Sequence, residues 1–506
     1  MTQSVKAREG LFTKLSQNFN GRLTYAVSII ALSQVNFGLE QGVFNNTQAM
    51  PAFTKRFGVY NARKQTYEFE SYFLSIMASL PYLGFAFGLV TGNMLSAKIG
   101  RKKCFMVMCF YSILGILVCI TSTTNKWQVV AGRIIANVYI GMELAIVPVT
   151  QSELVPAPVR GATVSTYQTG LLVGHLIAAL ICRGTGELAG DKSWRIPFGT
   201  VFLIPCLMLL TVWHIPESPR WLLMKGRPEE AMDNLRLLRQ GKFSEDEIQQ
   251  EYQEFQNNLE INVEKGKVME IFQGKNLKRT LIVVGVNVFL QLTGQNFISI
   301  YGAIFIRSIG VVNPFTMTSA NSAIGIVTVL AVQLLTDKFG RVPLMATGAL
   351  IQCGSLFTMG GLGTQANPSY AAKAGIVSMV TVFTVGFQIG WAPLSHVISA
   401  EIPSQRNRDA TYALGSICNI AIQFAVSFSI PYLLNEPYAG LGSRVGFIFG
   451  STAVLALLFT VFCIPECKGK TLEEIDELFL EGVPLRKFGK TGAVEHREVV
   501  EVKAEA

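Results

Sequence analysis

The chain has 506 residues, of which 50% are hydrophobic and only 15% charged, with a mean hydropathy of +0.37. Soluble domains carry roughly a quarter charged residues, so this composition argues against a soluble multidomain enzyme, and at about 20 apolar residues per crossing helix the length accommodates about a dozen spans. The net charge of +9 does not point to nucleic acid, because the basic residues lie in short clusters between apolar stretches, such as Lys98 to Lys103, as cytoplasmic loops do under the positive-inside rule.

In chain order, the first 22 residues are polar, carry Lys6, Arg8, Lys14 and Arg22, and lack the apolar core and cleavage site of a signal peptide. The first span is therefore expected to target the chain. Apolar segments bounded by charges or turn residues fall at 24–45, 71–95, 104–123, 128–150, 162–183 and 197–215, then at 280–306, 316–336, 343–363, 373–398, 410–433 and 443–463. This predicts an all-α membrane protein of twelve transmembrane helices: a tail over 1–23, a six-helix half over 24–215, a helical middle loop over 216–279, a second six-helix half over 280–463 and a tail over 464–506. Asn45-Asn46-Thr47 matches a glycosylation acceptor but abuts a span end, and reads as a chance match. In the middle loop, Arg227-Pro228-Glu229-Glu230 opens one amphipathic helix, and Ser244 with Glu247 has the capping-box spacing of a second. The Lys/Arg-rich loops near 100, 160, 340 and 406, with the middle loop, place both termini in the cytoplasm. Cys109, Cys119, Cys182 and Cys206 lie inside apolar runs and read as buried hydrophobes. With no metal cluster, nucleophile–base spacing or phosphate loop, neither a cofactor nor an enzyme activity is expected.

Internal repetition is the most informative signal. Lys98-Ile99-Gly100-Arg101 recurs as Lys338-Phe339-Gly340-Arg341, Glu153 and Arg160 recur as Glu401 and Arg408, and Pro216-Glu217 recurs as Pro465-Glu466. The offsets are similar, so the two halves read as copies with the same membrane orientation, an architecture of secondary transporters that work by alternating access. Gly100 and Gly340 permit tight turns. The cations beside them are expected to be favoured by helix C-termini and to bridge to Glu153, Glu217, Glu401 or Glu466.

The stretch Pro216-Glu217-Ser218-Pro219-Arg220-Trp221-Leu222, with Pro465-Glu466-Cys467-Lys468-Gly469-Lys470-Thr471-Leu472-Glu473-Glu474 at the equivalent point of the second half, resembles the signatures of the sugar porters of the major facilitator superfamily. The resemblance runs from about residue 25 to residue 480 and is greatest to fungal members. It implies the major facilitator fold with two six-helix halves, a sugar-like solute and protons as what the protein carries, and membrane lipids rather than nucleic acid around it. It also implies a cytoplasmic charge network of Arg101, Glu153, Arg160, Glu217, Arg220, Asp337, Arg341, Glu401, Arg408 and Glu466. Because Ala97 stands where the second half has Asp337, the amino-terminal network is expected to be weaker or differently partnered.

Ionisable residues inside spans are costly and default to functional candidates. Glu40 lies in span one within Phe37-Gly38-Leu39-Glu40-Gln41-Gly42, and Arg133 follows Gly132 in span four. The resemblance pairs them as the proton-coupling couple of symporters; a static buried ion pair is the alternative. Glu143, in span four, and His175, in span five, are further polar residues. Glu143 lines the cavity, joins the proton path or faces a neighbouring helix, and His175 reads as a hydrogen-bonded packing residue.

Sugar hydroxyls call for amides that both donate and accept, with aromatic faces beside them. Gln168, Gln291, Asn296 and Asn419 match the family's amide positions and are the expected binding residues, with Tyr301, Trp391, His396 and Glu143 as gate or cavity residues. Leu290, Ile300, His396, Gly325 and Ile420 depart from the family pattern, which leaves room for a larger or less polar solute. A non-sugar transporter of the same fold, such as one for a quinate-like acid, and a non-transporting nutrient sensor are the rival readings.

Overall fold

In a bilayer every backbone N–H and C=O must be paired within the segment, so apolar stretches long enough to cross fold as helices. A computed structural model describes residues 17–62, 65–261 and 268–489 of the protein. The amino-terminal set comprises α1 (Gly21–Thr47), α2 (Pro51–Phe57), the strands β1 (Val59–Asn61) and β2 (Thr66–Glu68), α3 (Ser71–Ser79), α4 (Pro81–Ile99), α5 (Arg101–Ile120), α6 (Lys126–Leu154), α7 (Ala157–Thr185), α8 (Lys192–Thr200) and α9 (Leu203–Thr211). Three helices follow outside the apolar stretches: α10 (Pro219–Met224), α11 (Pro228–Arg239) and α12 (Glu245–Ile261). The second set is α13 (Gly274–Leu292), α14 (Gln295–Ile309), α15 (Pro314–Phe339), α16 (Arg341–Leu362), α17 (Tyr370–Ile389), α18 (Trp391–Glu401), α19 (Arg408–Leu434) and α20 (Val445–Cys463), with α21 (Leu472–Glu481) after it.

Among the described residues ten helical segments are long and apolar enough to cross a membrane. Helices α1 and α7, of 27 and 29 residues, are also long enough, and they carry Gln34, Asn36 and Glu40 and Gln168 and His175 respectively. Together these make twelve crossing segments. Several are broken where the sequence reading ran them straight. The Thr293-Gly294 break between α13 and α14 puts Gly294 at φ +94, a conformation that favours glycine. Pro81, which has no N–H to give, restarts the second span after Leu80. The antiparallel hairpin of β1 and β2, with Tyr60 opposite Tyr67, was not expected from the sequence. Asn45 and Asn46 are buried near the end of α1, in keeping with a chance sequon.

By internal contacts the chain forms two compact units. The first takes Met1–Gln41, Leu83–His175 and Arg195–Glu264, and the second takes Gly42–Tyr82, Leu176–Trp194 and Lys265–Ala506. Within the first, α1 and α7 touch backbone to backbone: a Cβ on Gly38 would lie 1.9 Å from the Leu171 carbonyl oxygen, and one on Gly174 would lie 2.1 Å from that of Val35. Replacing Gly38 by Ala is therefore expected to force the helices apart and cost about 1–3 kcal/mol. Thermal unfolding of the purified protein checks this, and an unchanged midpoint contradicts the close packing. Within the second unit, α3 lies along α19, where Ser75 Oγ donates to the Phe428 carbonyl at 2.7 Å and Asn435 Nδ2 donates to Ser71 Oγ at 3.2 Å.

Helices α10 to α12 share an apolar core of Trp221, Leu222, Ala231, Leu235, Ile248, Tyr252 and Phe255. They are fastened to the rest of the first unit by buried polar contacts. Arg239 forms two hydrogen bonds of 2.8 Å with the carboxylate of Glu251 and donates to the Leu154 carbonyl at 2.9 Å, while Asn20 Nδ2 donates to the carbonyls of Leu237 and Gln240, both at 3.1 Å. In the second unit α21 is held by Arg279, which bonds to Asp476 and lies 4.5 Å from the ring of Phe479.

The expected capping box opens α12: the Ser244 N–H donates to Glu247 Oε2 at 2.8 Å and the Glu247 N–H donates to Ser244 Oγ at 3.3 Å. The backbone N–H and then the hydroxyl of Ser244 hold the Glu247 carboxyl below the usual glutamate range. Its folded value lies under its unfolded one, so this contribution is whole above the unfolded value and is lost as pH falls through the folded one. Protection of the first-turn amides of α12, corrected for intrinsic exchange, should fall over that acidic range, and Glu247→Gln should flatten the dependence.

Candidate functional site

The repeated loop motifs build the same device in each unit. Arg101 is the first residue of α5 and Arg341 the first of α16. The cations therefore sit at helix N-termini, and the expectation that helix C-termini favour them is wrong for these two residues. The carboxylates exploit the dipole instead. Glu217 accepts from the N–H groups of Arg101 (2.9 Å) and Lys102 (3.2 Å), and Glu466 accepts from those of Arg341 (3.0 Å) and Val342 (2.9 Å). The preceding glycines, at φ +95 and +93, leave this space open: a Cβ on Gly100 would lie 2.4 Å from Glu217 Oε2 and one on Gly340 would lie 2.6 Å from Glu466 Oε2.

Each arginine then reaches a second carboxylate. Arg101 donates to both oxygens of Glu153, at 2.9 and 2.7 Å, and Arg341 Nη2 donates to Glu401 Oε1 at 2.9 Å. Of the two expectations for the amino-terminal network, weaker or differently partnered, the second describes what is found. Ser96, beside Ala97, supplies its carbonyl and hydroxyl to Arg101 Nη1, both at 3.1 Å, so the guanidinium is well partnered without an aspartate. Arg220 lies 4.5 Å from the ring of Phe255, and Arg408 opens α19. The side chains of Arg160 and Asp337 lie outside the described residues.

The buried charges of the first unit lie among hydroxyls and amides. Glu40 is 3% exposed. Its Oε2 accepts from Ser112 Oγ of α5 at 3.2 Å, and Arg133 of α6 is near enough to act on it electrostatically. Asn36 Nδ2 donates to the same Ser112 oxygen at 3.5 Å. Glu143 is fully buried and accepts from Tyr167 OH of α7 at 2.8 Å, so it faces a neighbouring helix. His175 Nδ1 contacts the Leu171 carbonyl of its own helix at 3.0 Å, as a packing residue does, and Gln168 is half-buried on α7.

In the second unit the expected amides meet one another. Gln291 Nε2 donates to Asn419 Oδ1 (3.1 Å), Asn419 Nδ2 donates to Asn287 Oδ1 (3.3 Å), and Asn287 Nδ2 donates to Ser399 Oγ (3.0 Å). Asn296 and Gln423 exchange bonds of 3.5 Å. Tyr301 OH donates to the Ser427 carbonyl at 2.8 Å. Trp391 is fully buried at the start of α18, whereas His396 is exposed. Asn287, Gln423, Ser399 and Ser112 were missed from the sequence. The first two had a signal, since each stands four residues from an expected amide and so on the same helix face. An amide cluster of half-satisfied donors and acceptors suits a polyhydroxyl ligand.

Both units are thus helical membrane bodies with a buried polar interior, the class of a multi-pass membrane transporter. The family profile described as "Sugar (and other) transporter" matches residues 26–479, and the chain belongs to that family. It is 30% identical over 490 residues to the major facilitator-type transporter ecdD of Aspergillus rugulosus, covering 93% of this chain and 90% of that one. It is likewise 30% identical over 470 residues to the high-affinity fructose transporter ght6 of Schizosaccharomyces pombe, covering 90% and 86%. Its fold is similar to the inward open conformation of the xylose transporter XylE from E. coli, with a TM-score of 0.75, 22% identity and coverage of 90% and 99%. The twelve-helix major facilitator fold follows.

Proposed function

We propose that the protein moves a sugar or sugar-like solute across the plasma membrane by proton-coupled alternating access, with both termini in the cytoplasm. The observation that carries the coupling is Glu40, a carboxylate buried in α1 with a hydroxyl on one oxygen and Arg133 close by. Burial penalises its charged form and the guanidinium favours it, so a change in their separation during the cycle loads or releases a proton. Gln168, Gln291, Asn296 and Asn419 take the solute's hydroxyls. Tyr301, Trp391, His396 and Glu143 serve the gates and cavity wall, and the networks around Arg101 and Arg341 set the cytoplasmic ends. The segments 24–215 and 280–463 act as the two repeats, joined by 216–279. The named fructose transporter among its relatives supports the solute class.

The test is uptake of labelled hexoses by cells that lack their own hexose transporters, competed with sugars, polyols and organic acids at two pH values. Accumulation that is competed by sugars and stimulated by acid is expected; the assignment falls if no sugar accumulates or competes. Within that assay, Asn419→Ala removes the acceptor of Gln291 and a donor to Asn287. It should raise KM about five- to thirtyfold, as expected for losing one or two hydrogen bonds of about 1 kcal/mol each.

A further inference from the structure

We propose that Glu143 is a second proton-carrying carboxylate of this transporter, in the same unit as Glu40. The proposal rests on the reading of Glu40 as the proton-coupling acid. Glu143 and Glu40 share an unusual pattern. Each is enclosed, each has one oxygen accepting from a hydroxyl, Tyr167 OH or Ser112 Oγ, and in each the other oxygen, Oε1, has no hydrogen-bond partner. An ionised carboxylate in such a place would leave a charged oxygen buried without compensation, and a group so placed neutralises instead. A proton on Oε1 removes that charge and leaves Oε2 free to accept from Tyr167.

The groups around Glu143 fit this reading. On α1 Ser33 lies near enough to act on it, with its hydroxyl donating to the Ile30 carbonyl at 2.7 Å. On α7 it meets Tyr167, whose ring lies 6.4 Å from that of Phe37. Across α4 the contact with α6 is made by the glycines Gly84, Gly88 and Gly92, against Ile134, Val138 and Met142. On its own helix Tyr139 lies one turn earlier, facing Cys109 of α5 as well as Glu143 and Glu40, and Arg133 acts on Glu40. Its described partners are thus hydroxyls.

Further polar groups of the first unit lie near the two acids. The Ser33 carbonyl accepts from Tyr139 OH at 2.9 Å, and Asn36 donates to Ser112, which donates to Glu40. The hydrogen bonds reach Glu40 through Ser112 and Glu143 through Tyr167, so each acid takes its proton from bulk water and returns it there.

Infrared difference spectra of the purified full-length protein, titrated in H2O and D2O, read protonated carboxyl groups directly and need no solute, only protons. The wild type should show two buried carboxylic C=O components. Glu40→Gln should remove one and Glu143→Gln the other. Tyr167→Phe should shift the Glu143 component by deleting its hydrogen bond. A Glu143→Gln spectrum identical to wild type overturns the proposal. Should that variant fail to fold, a Glu40→Gln protein with no remaining buried component, or a Tyr167→Phe protein with no shifted band, overturns it as well. These outcomes are independent of the solute panel, so loss of the sugar assignment and loss of this one are told apart.

Discussion

Glu40→Gln should abolish accumulation against a gradient and solute-driven proton uptake, while solute exchange across the membrane persists. Glutamine keeps nearly the same shape and can still accept from Ser112, but it has no proton to load, and Arg133 then faces a neutral group. Each pH unit of gradient is worth about 1.4 kcal/mol per proton, or about tenfold in accumulation. The variant should lose all of that and settle at equal concentrations inside and out. Proteoliposomes with an imposed pH gradient measure it. Concentrative uptake that survives the substitution sinks the coupling role of Glu40 and leaves it as a packing ion pair.

The second large effect is expected far from the solute. Arg239 is 1% exposed and is bound by Glu251 and the Leu154 carbonyl. Truncation to Ala leaves a half-buried carboxylate and a buried carbonyl without their donor, and breaking a buried pair in this way costs about 3–5 kcal/mol. The neighbouring pair of Arg236 with Glu245 is the internal control. Its side chains are 51% and 59% exposed, and exposed pairs contribute about 0–1 kcal/mol. Thermal unfolding of the two variants should therefore differ sharply, with Arg236→Ala near wild type. Equal midpoints would mean that Arg239 does not fasten α11 and α12 to the end of α6.

How far the sequence could be read depended on the kind of physics involved. Hydropathy located the crossing segments to within a few residues, because exclusion of water acts on whole stretches. The paired loop motifs were legible because duplication repeated them. Position within the turn was harder. The dipole argument placed Arg101 and Arg341 at helix ends, but at the wrong ends, since Gly100 and Gly340 each close one helix and admit a carboxylate to the next. Ser112, Asn287 and Ser399 are single polar residues in apolar helices, with no motif around them, and only the neighbour across the contact gives them meaning. Arg239 looked like one cation among many on a polar amphipathic helix. Its burial comes from the end of α6, which the sequence places 85 positions away.

The close contact of α1 with α7 bears on how the chain is made. Gln34, Asn36 and Glu40 make α1 a poor lodger in lipid, and intramembrane polar groups are relieved by partners on other helices. The helix that meets α1 at Gly38 is not synthesised until α2 to α6 have left the ribosome. Asn36 and Glu40 gain the Ser112 hydroxyl once α5 is made, while the backbone contact waits for α7, so the first helix to be made lacks its full set of partners until the fifth crossing segment exists.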